Sequence, residues 1–183
     1  NSVKAGPGGA GLVQYTLPSI ADGVAINATY ASAGENNEGS TALGLVYTGI
    51  EGLTVSLGTG NDNSTVAVDA DYTTMKASYV YGSITASVSA SEYDHTTAAN
   101  DQEVKSFGLT YTVTDDISIT YGQDKIENNT DTADIEVDGI TASYTSGGMT
   151  VSAKRVSADN VDGSSTGVNN DRSMFKLAAS FAF

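Results

Sequence analysis

The chain has 183 residues and a formal net charge of −14, from 22 Asp and Glu against 8 Lys and Arg. This excess of carboxylates argues against a nucleic-acid-binding protein, which needs a surface rich in Lys and Arg. The chain has no Cys, which excludes disulfides and thiolate metal sites among these residues, and no run approaches the roughly 18 apolar residues of a transmembrane helix.

Apolar and polar residues alternate along most of the chain, and this period of two predicts β-strands because successive strand side chains point to opposite faces. In the final segment, Phe175, Leu177 and Phe181 share one parity, whereas Arg172 and Lys176 share the other. We predict about eleven strands, most of them near the ~9–11 residues that cross a bilayer as a tilted strand. In chain order their alternating centres are residues 13–17, 24–30, 43–47, 53–57, 75–81, 84–90, 107–113, 117–121, 140–144, 149–153 and 175–183.

Short and long connections follow one another along the chain. Turns containing Gly or Asp, of the kind that joins hairpins, are predicted at 49–52, 81–83, 114–116 and 146–148, with 18–23 as a slightly longer member. Longer polar loops are predicted between them, at 34–40, 61–71, 92–103, 124–136 and 157–171. Short turns at one end of the strands and long loops at the other are typical of transmembrane barrels, whose short turns face the periplasm.

A soluble β-sandwich, such as a surface module, also alternates in this way and stays open as an alternative. Two observations favour a membrane barrel. The polar parity consists mostly of Ser, Thr, Gly and Ala, whereas a solvated sheet face normally carries many Lys and Glu that prevent edge pairing. The acidic residues concentrate in the predicted connections. The predicted fold class is therefore an all-β transmembrane antiparallel β-barrel.

Three parts of the sequence resemble the general diffusion porins of Gram-negative bacteria, particularly those of alphaproteobacteria. They are the closing strand RSMFKLAASFAF with its terminal Phe183, the hairpins LGLVYTGIEGLTVSLG and SFGLTYTVTDDISITYG, and the segment GLVQYTLPSIADGVAINATYAS. The resemblance implies a 16-stranded outer-membrane barrel that assembles as a homotrimer. It also implies a water-filled channel through which small hydrophilic solutes and ions diffuse passively, with no catalysis and no cofactor.

About eleven strands are fewer than the 16 that the resemblance implies, and an odd number does not close a bacterial single-chain barrel. We therefore expect residues 1–183 to form a single barrel domain that is the C-terminal part of a longer barrel. Counted back from Phe183, the first strand corresponds to the sixth of 16. The resemblance then implies that residues 1–11 are the exit of the loop that constricts the pore.

The polar parity carries four basic residues that we predict to line the pore: Lys76, Lys154, Arg172 and Lys176. In porins of the type that the chain resembles, basic residues on the barrel wall face acidic residues on the infolded loop. The transverse field between them orders water and sorts solutes. The alternative is that these side chains are solvated charges near strand ends.

Aromatic residues on the apolar parity are predicted to form girdles at the membrane interfaces, where the barrel meets lipid and lipopolysaccharide. Ordinary β-propensity is the alternative explanation. The predicted girdle residues are Tyr15, Tyr30, Tyr47, Tyr79, Tyr81, Tyr111, Tyr121, Tyr144 and Phe183.

Two weaker hypotheses concern the loops. Asp62, Asp69 and Asp71 offer hard oxygen ligands suited to Ca²⁺, although solvated acidic loops are the favoured explanation. The only His of the chain, His95, stands beside Asp94, and an Asp–His pair can support hydrolysis. An outer-membrane barrel that serves as anchor or translocator, or as an omptin-like enzyme, is therefore kept as an alternative to the porin.

Overall fold

The computed structural model describes residues 12–18, 20–33, 38–65, 68–166 and 170–181, without the side chains of 64, 65, 68 and 69. The predictions made for residues 1–11 and for Phe183 lie outside this part. Among the described residues there is one short 3₁₀ helix, Ala98–Asn100, and no helix has the length and hydrophobicity needed to span a bilayer.

The described residues form eleven strands, as the alternation predicts. They are β1 (Leu12–Thr16), β2 (Val24–Ala31), β3 (Ser40–Ile50), β4 (Leu53–Thr65), β5 (Val68–Tyr81), β6 (Ile84–His95), β7 (Gln102–Thr114), β8 (Ile117–Asn128), β9 (Ile135–Ser146), β10 (Met149–Asp159) and β11 (Arg172–Phe181). They form one antiparallel sheet in which the strand order follows the chain. The short connections favour this order, because strands joined by tight turns pair with each other.

The register keeps apolar residues opposite apolar residues. Leu45 of β3 lies opposite Ile26 of β2 and Leu57 of β4, and Val151 of β10 lies opposite Tyr144 of β9. A slip of one residue would move every side chain to the other face. The pairing therefore separates an apolar face of the sheet from a polar face.

The tight turns fall where the sequence predicts them. The turn between β9 and β10 consists of Gly147 and Gly148, with φ of 56° and 81°. A two-residue hairpin turn of this kind needs positive φ at both positions, which Gly adopts at no steric cost. The two glycines therefore fix the β9–β10 register at this end of the hairpin.

Four of the five predicted long loops are shorter than predicted. The loop expected at 61–71 is wrong for most of its length, because β4 continues to Thr65 and β5 begins at Val68. The loops expected at 92–103 and 124–136 also lose residues to the strands on either side, and the loop expected at 157–171 loses residues to β10. The physical reason is that ladder hydrogen bonds join backbone groups and continue through polar residues where the apolar pattern has ended.

The chain divides into two compact units: unit 1 comprises Asn1–Ser78, Ser89–Val104 and Asn128–Thr130, and unit 2 comprises Tyr79–Val88, Lys105–Glu127 and Asp131–Phe183. In unit 1, the Thr41 backbone N–H donates to the Asn61 Oδ1 at 2.6 Å. In unit 2, the Gly163 carbonyl accepts hydrogen bonds from the backbone N–H groups of Thr132 at 2.8 Å and Ala133 at 3.1 Å. Each unit thus has hydrogen bonds of its own at the end of the strands where the long loops lie.

Candidate functional site

The apolar face of the sheet exposes large hydrophobic side chains. In β11, Phe175 and Leu177 are 72% and 69% exposed, and Tyr81 at the end of β5 is 74% exposed. A soluble monomer rarely exposes apolar residues in so continuous an arrangement. This face therefore requires an apolar environment, which a lipid bilayer supplies.

The tyrosines of the predicted girdles lie on this apolar face. Tyr121 pairs with Ile140, Tyr144 with Ile117, and Tyr15 with Ala28. All eight except Tyr30 lie in the half of their strand nearer the short turns. The register thus places most of the aromatic residues at one end of the strands, and their role as an interface girdle stays a prediction.

The polar face carries the four basic residues predicted to line the pore. In unit 2, Lys154 of β10 is the direct cross-strand partner of Lys176 of β11, and Arg172 is the partner of Ala158. In unit 1, Lys76 is an exposed residue of β5. The structure therefore brings Lys154 and Lys176 together, a pairing that is not visible from their positions in the sequence.

The sequence profile of the Gram-negative porin family matches residues 2–145. The chain belongs to the Gram-negative porin family. It is accordingly an outer-membrane protein with transmembrane β-strands, and its membership argues against the soluble β-sandwich. No curated protein matches the chain in sequence.

Solved porin structures share the fold. A porin refined at 1.8 Å resolution superposes with a TM-score of 0.70 at 17% identity, over 94% of this chain and 60% of that one. The trimer form of OmpT, an outer-membrane protein of Vibrio cholerae, gives 0.63 at 21%, over 93% and 64%. An anion-selective porin from Comamonas acidovorans gives 0.64 at 15%, over 81% and 48%. The 183-residue chain thus spans less than two thirds of the length of each of these solved structures.

The acidic residues proposed for Ca²⁺ lie in two different environments. Asp62 of the porin chain is 1% exposed, whereas Asp71 is exposed, and the side chain of Asp69 lies outside the described part. Neighbouring Asn61 already accepts hydrogen bonds from both the backbone N–H and the hydroxyl of Thr41. No group of three or more His, Asp or Glu side chains within the described ranges is arranged to hold a metal ion. The Ca²⁺ site stays a prediction.

His95 is the last residue of β6 and takes part in local backbone contacts. Its Nδ1 accepts a hydrogen bond from the Thr97 backbone N–H at 2.8 Å, and its own backbone N–H donates to the Asp101 Oδ1 at 2.8 Å. Asp94, the sequence neighbour, precedes it on a strand and so points to the opposite face. The adjacent pair in the sequence does not face each other as a catalytic dyad would.

Sequence reasoning missed the charges on the apolar face of the porin. Arg155 lies directly opposite Ile140 and Phe175. Toward the loops, Lys125 forms ion pairs with Asp134 at 2.8 Å and Glu127 at 3.0 Å. Lys125 and Arg155 could have been found from the sequence. Extending the alternation of β8 and β10 past their last apolar residues places both side chains on the apolar face.

Sequence reasoning also missed the buried residues of the polar face in unit 1. Tyr72 is 3% exposed, and its hydroxyl end lies over Gly60. Because residues 61–71 are predicted to form a loop, the sequence alone does not assign Tyr72, which follows them directly, to either face of a strand. The β4–β5 pairing is the signal that identifies it.

Proposed function

We propose that this porin forms a water-filled channel in the outer membrane through which small hydrophilic solutes and ions diffuse passively, without catalysis and without a cofactor. The observation that supports it is the division of one sheet into an exposed apolar face and a polar face of small residues. Phe175 and Leu177 of β11 lie on the first, and Lys176 between them lies on the second. In outer-membrane barrels the apolar face contacts lipid and the polar face lines the lumen.

The charges of the polar face give the proposed channel a preference for anions. Lys154, Arg172 and Lys176 lie on the polar face of unit 2, together with Asp124. In a narrow pore with low-dielectric walls, fixed charges of one sign raise the local concentration of the opposite ion. We therefore expect a wall that favours anions, although the chain as a whole carries −14.

The loop-side end of the apolar face marks the proposed contact with lipopolysaccharide. The path along β8 from Ile117 to Lys125 is about 27 Å at ~3.4 Å per residue, or about 21 Å along the membrane normal at a ~40° tilt. This is close to the ~25 Å height of the apolar band in such barrels. Lys125 and Lys105, which lies 3.7 Å from Glu127, would then meet the phosphate-bearing headgroups outside the bilayer core.

A homotrimer is the proposed assembly. Its support is the family and the structural likeness to OmpT of Vibrio cholerae, which has been solved in a trimer form. The girdle role of the tyrosines belongs to the same proposal, and its support is that most of them lie in the half of their strand nearer the short turns.

Planar-bilayer recording of the full-length protein tests the channel. We expect stepwise conductance increases that grow with salt concentration, with steps that close in groups of three if the protein is a trimer. A heat-denatured sample at the same concentration is the control. Silent bilayers from protein whose folding has been confirmed by circular dichroism would contradict the proposal.

A further inference from the structure

We propose that the polar face of unit 2 carries a binding site for a sugar phosphate. The hydroxyls of Thr120 and Thr141 in a groove bind the sugar, and Lys154 at the border of that groove binds the phosphate together with its cross-strand partner Lys176. This inference rests on the proposed channel function and names a class of solute for that channel.

The groove is built on one row of cross-strand partners. The hydroxyls of Thr110 in β7 and Thr120 in β8 are 3.0 Å apart. Thr120 pairs with Thr141 of β9, Thr141 with Lys154 of β10, and Lys154 with Lys176 of β11. Directly opposite residues on one face have Cβ atoms about 4.5–5.5 Å apart. Three threonine and two lysine side chains therefore start from adjacent positions across the wall.

In the described part of the β10–β11 ladder, no acidic residue neighbours the two lysines on the polar face. Like charges directly opposite each other destabilise a sheet. The nearest polar-face positions of β10 and β11 are Ser152, Val156, Met174 and Ala178, none of which is charged. A phosphate group carries about −1.5 to −2 charges at neutral pH, so that one bound phosphate would balance both ammonium groups.

Two glycines open the space beside this row. Gly122 of β8 and Gly139 of β9 are direct partners, one polar-face position nearer the loops than Thr120 and Thr141. Because neither has a side chain, the wall forms a groove of about 190 Å³, whose lining includes both glycines, both threonines, Lys154 and Asp124. This is about six times the ~30 Å³ that one water molecule occupies in the liquid, which is room for a small ring.

The chemistry of the lining selects a ligand with both an anionic group and hydroxyl groups. Threonine hydroxyls donate and accept hydrogen bonds, and so do the hydroxyls of a sugar. The carboxylate of Asp124 accepts further hydrogen bonds from the sugar at the opposite border of the groove. An uncharged sugar leaves the lysines unbalanced, and inorganic phosphate leaves the threonines and Asp124 without these contacts.

Current block in single channels of the full-length protein tests the groove. We expect glucose 6-phosphate to interrupt the current at concentrations at least about tenfold lower than glucose, since hydrogen bonds to charged groups contribute most of the affinity. It should also block at lower concentrations than inorganic phosphate. The double variant Lys154→Gln, Lys176→Gln should raise the half-blocking concentration at least about tenfold. The matched control, Lys105→Gln on the apolar face, should not change it.

A second variant separates the sugar from the phosphate. A Cβ at Gly122 would meet only the Phe107 carbonyl oxygen, at 3.7 Å, so that Gly122→Val should fold and fill the groove. We expect it to weaken the block by glucose 6-phosphate and to leave the block by inorganic phosphate unchanged. Equal changes for both ligands would contradict the role of the groove.

The remaining outcomes distinguish this proposal from the channel itself. Open channels that glucose 6-phosphate does not block, or that inorganic phosphate blocks equally well, would overturn the groove and leave the channel standing. Calorimetric titration of the detergent-folded protein with glucose 6-phosphate adds a measurement that needs no current. Binding without conductance would refute the channel and support the groove, whereas absence of binding would refute the groove.

Discussion

The two faces of β3 provide a matched pair of substitutions. Leu45 lies on the apolar face between Ile26 and Leu57, and the next residue, Val46, lies on the polar face between Ala25 and Ser56. From Ile50 at the turn to Leu45 the strand rises about 17 Å, or about 13 Å along the membrane normal at a ~40° tilt. This places Leu45 near the middle of the ~25 Å apolar band.

We expect Leu45→Arg to lower the free energy of unfolding by about 2–4 kcal/mol, the cost of an arginine on the lipid face at this depth. This corresponds to a change of about 30-fold to 800-fold in the folding equilibrium. Val46→Arg should cost less than about 1 kcal/mol, because its side chain reaches water between small neighbours. Both variants replace an aliphatic residue with the same charge one position apart.

The assay is urea unfolding of the full-length protein folded into phospholipid vesicles. Unfolding is monitored by circular dichroism and by electrophoretic mobility. Equal losses for the two variants, or a larger loss for Val46→Arg, would refute the assignment of the two faces.

Three further predictions concern a turn, an ion-pair cluster and the channel wall. Gly23→Ala should lower the free energy of unfolding by more than about 2 kcal/mol, because the residue has φ of 74° and its Cβ would overlap the backbone of Gly49. Gly82→Ala, with φ of 56° and an open surrounding, should cost only about 1 kcal/mol in the same urea titration. Lys125→Ala should lower the urea midpoint of unfolding at low salt. Near 1 M salt the variant and the unsubstituted protein should have the same midpoint, because the ion pairs of Lys125 are exposed and salt screens them. A difference that does not depend on salt would contradict this prediction. Arg172→Glu should shift the reversal potential in a KCl gradient toward cation selectivity, and an unchanged potential would place this side chain outside the ion path.

The strand count and the tight turns could be predicted from the sequence because both depend on local signals. Alternation within a strand reports which residues share a face, and glycines such as Gly147 and Gly148 mark a turn that only they adopt easily. The extent of the strands could not be predicted as well. Residues 61–65 are mostly polar, yet β4 continues through them to Thr65. Here polar side chains join β3 and β4, because the Asn61 Oδ1 accepts from the Thr41 N–H and the Ser40 Oγ accepts from the Asn63 N–H.

The arrangement of the polar face could be predicted only in part. Parity identified Lys154 and Lys176 as facing the same side, but their direct pairing depends on the length of the loop between β10 and β11. Gly122 and Gly139 are far apart in the sequence and adjacent in the sheet. Which residues contact each other across two strands depends on the register of the strands. Where a long polar loop joins the strands, the sequence does not show at which residue each strand ends, so that the register cannot be predicted.

The central claim is that the polar face contacts water in an open channel and the apolar face contacts lipid. Residues 1–183 contain no Cys, so that Ser152→Cys on the polar face and Val151→Cys on the apolar face each introduce a single thiol into this part of the protein. Each can be labelled while current is recorded through the full-length protein, with the unsubstituted protein as the control. The account predicts that a charged, membrane-impermeant methanethiosulfonate reagent lowers the conductance of Ser152→Cys channels and leaves Val151→Cys channels unchanged. Modification that lowers the conductance only in Val151→Cys, or in neither variant despite labelling of Ser152→Cys, would contradict it.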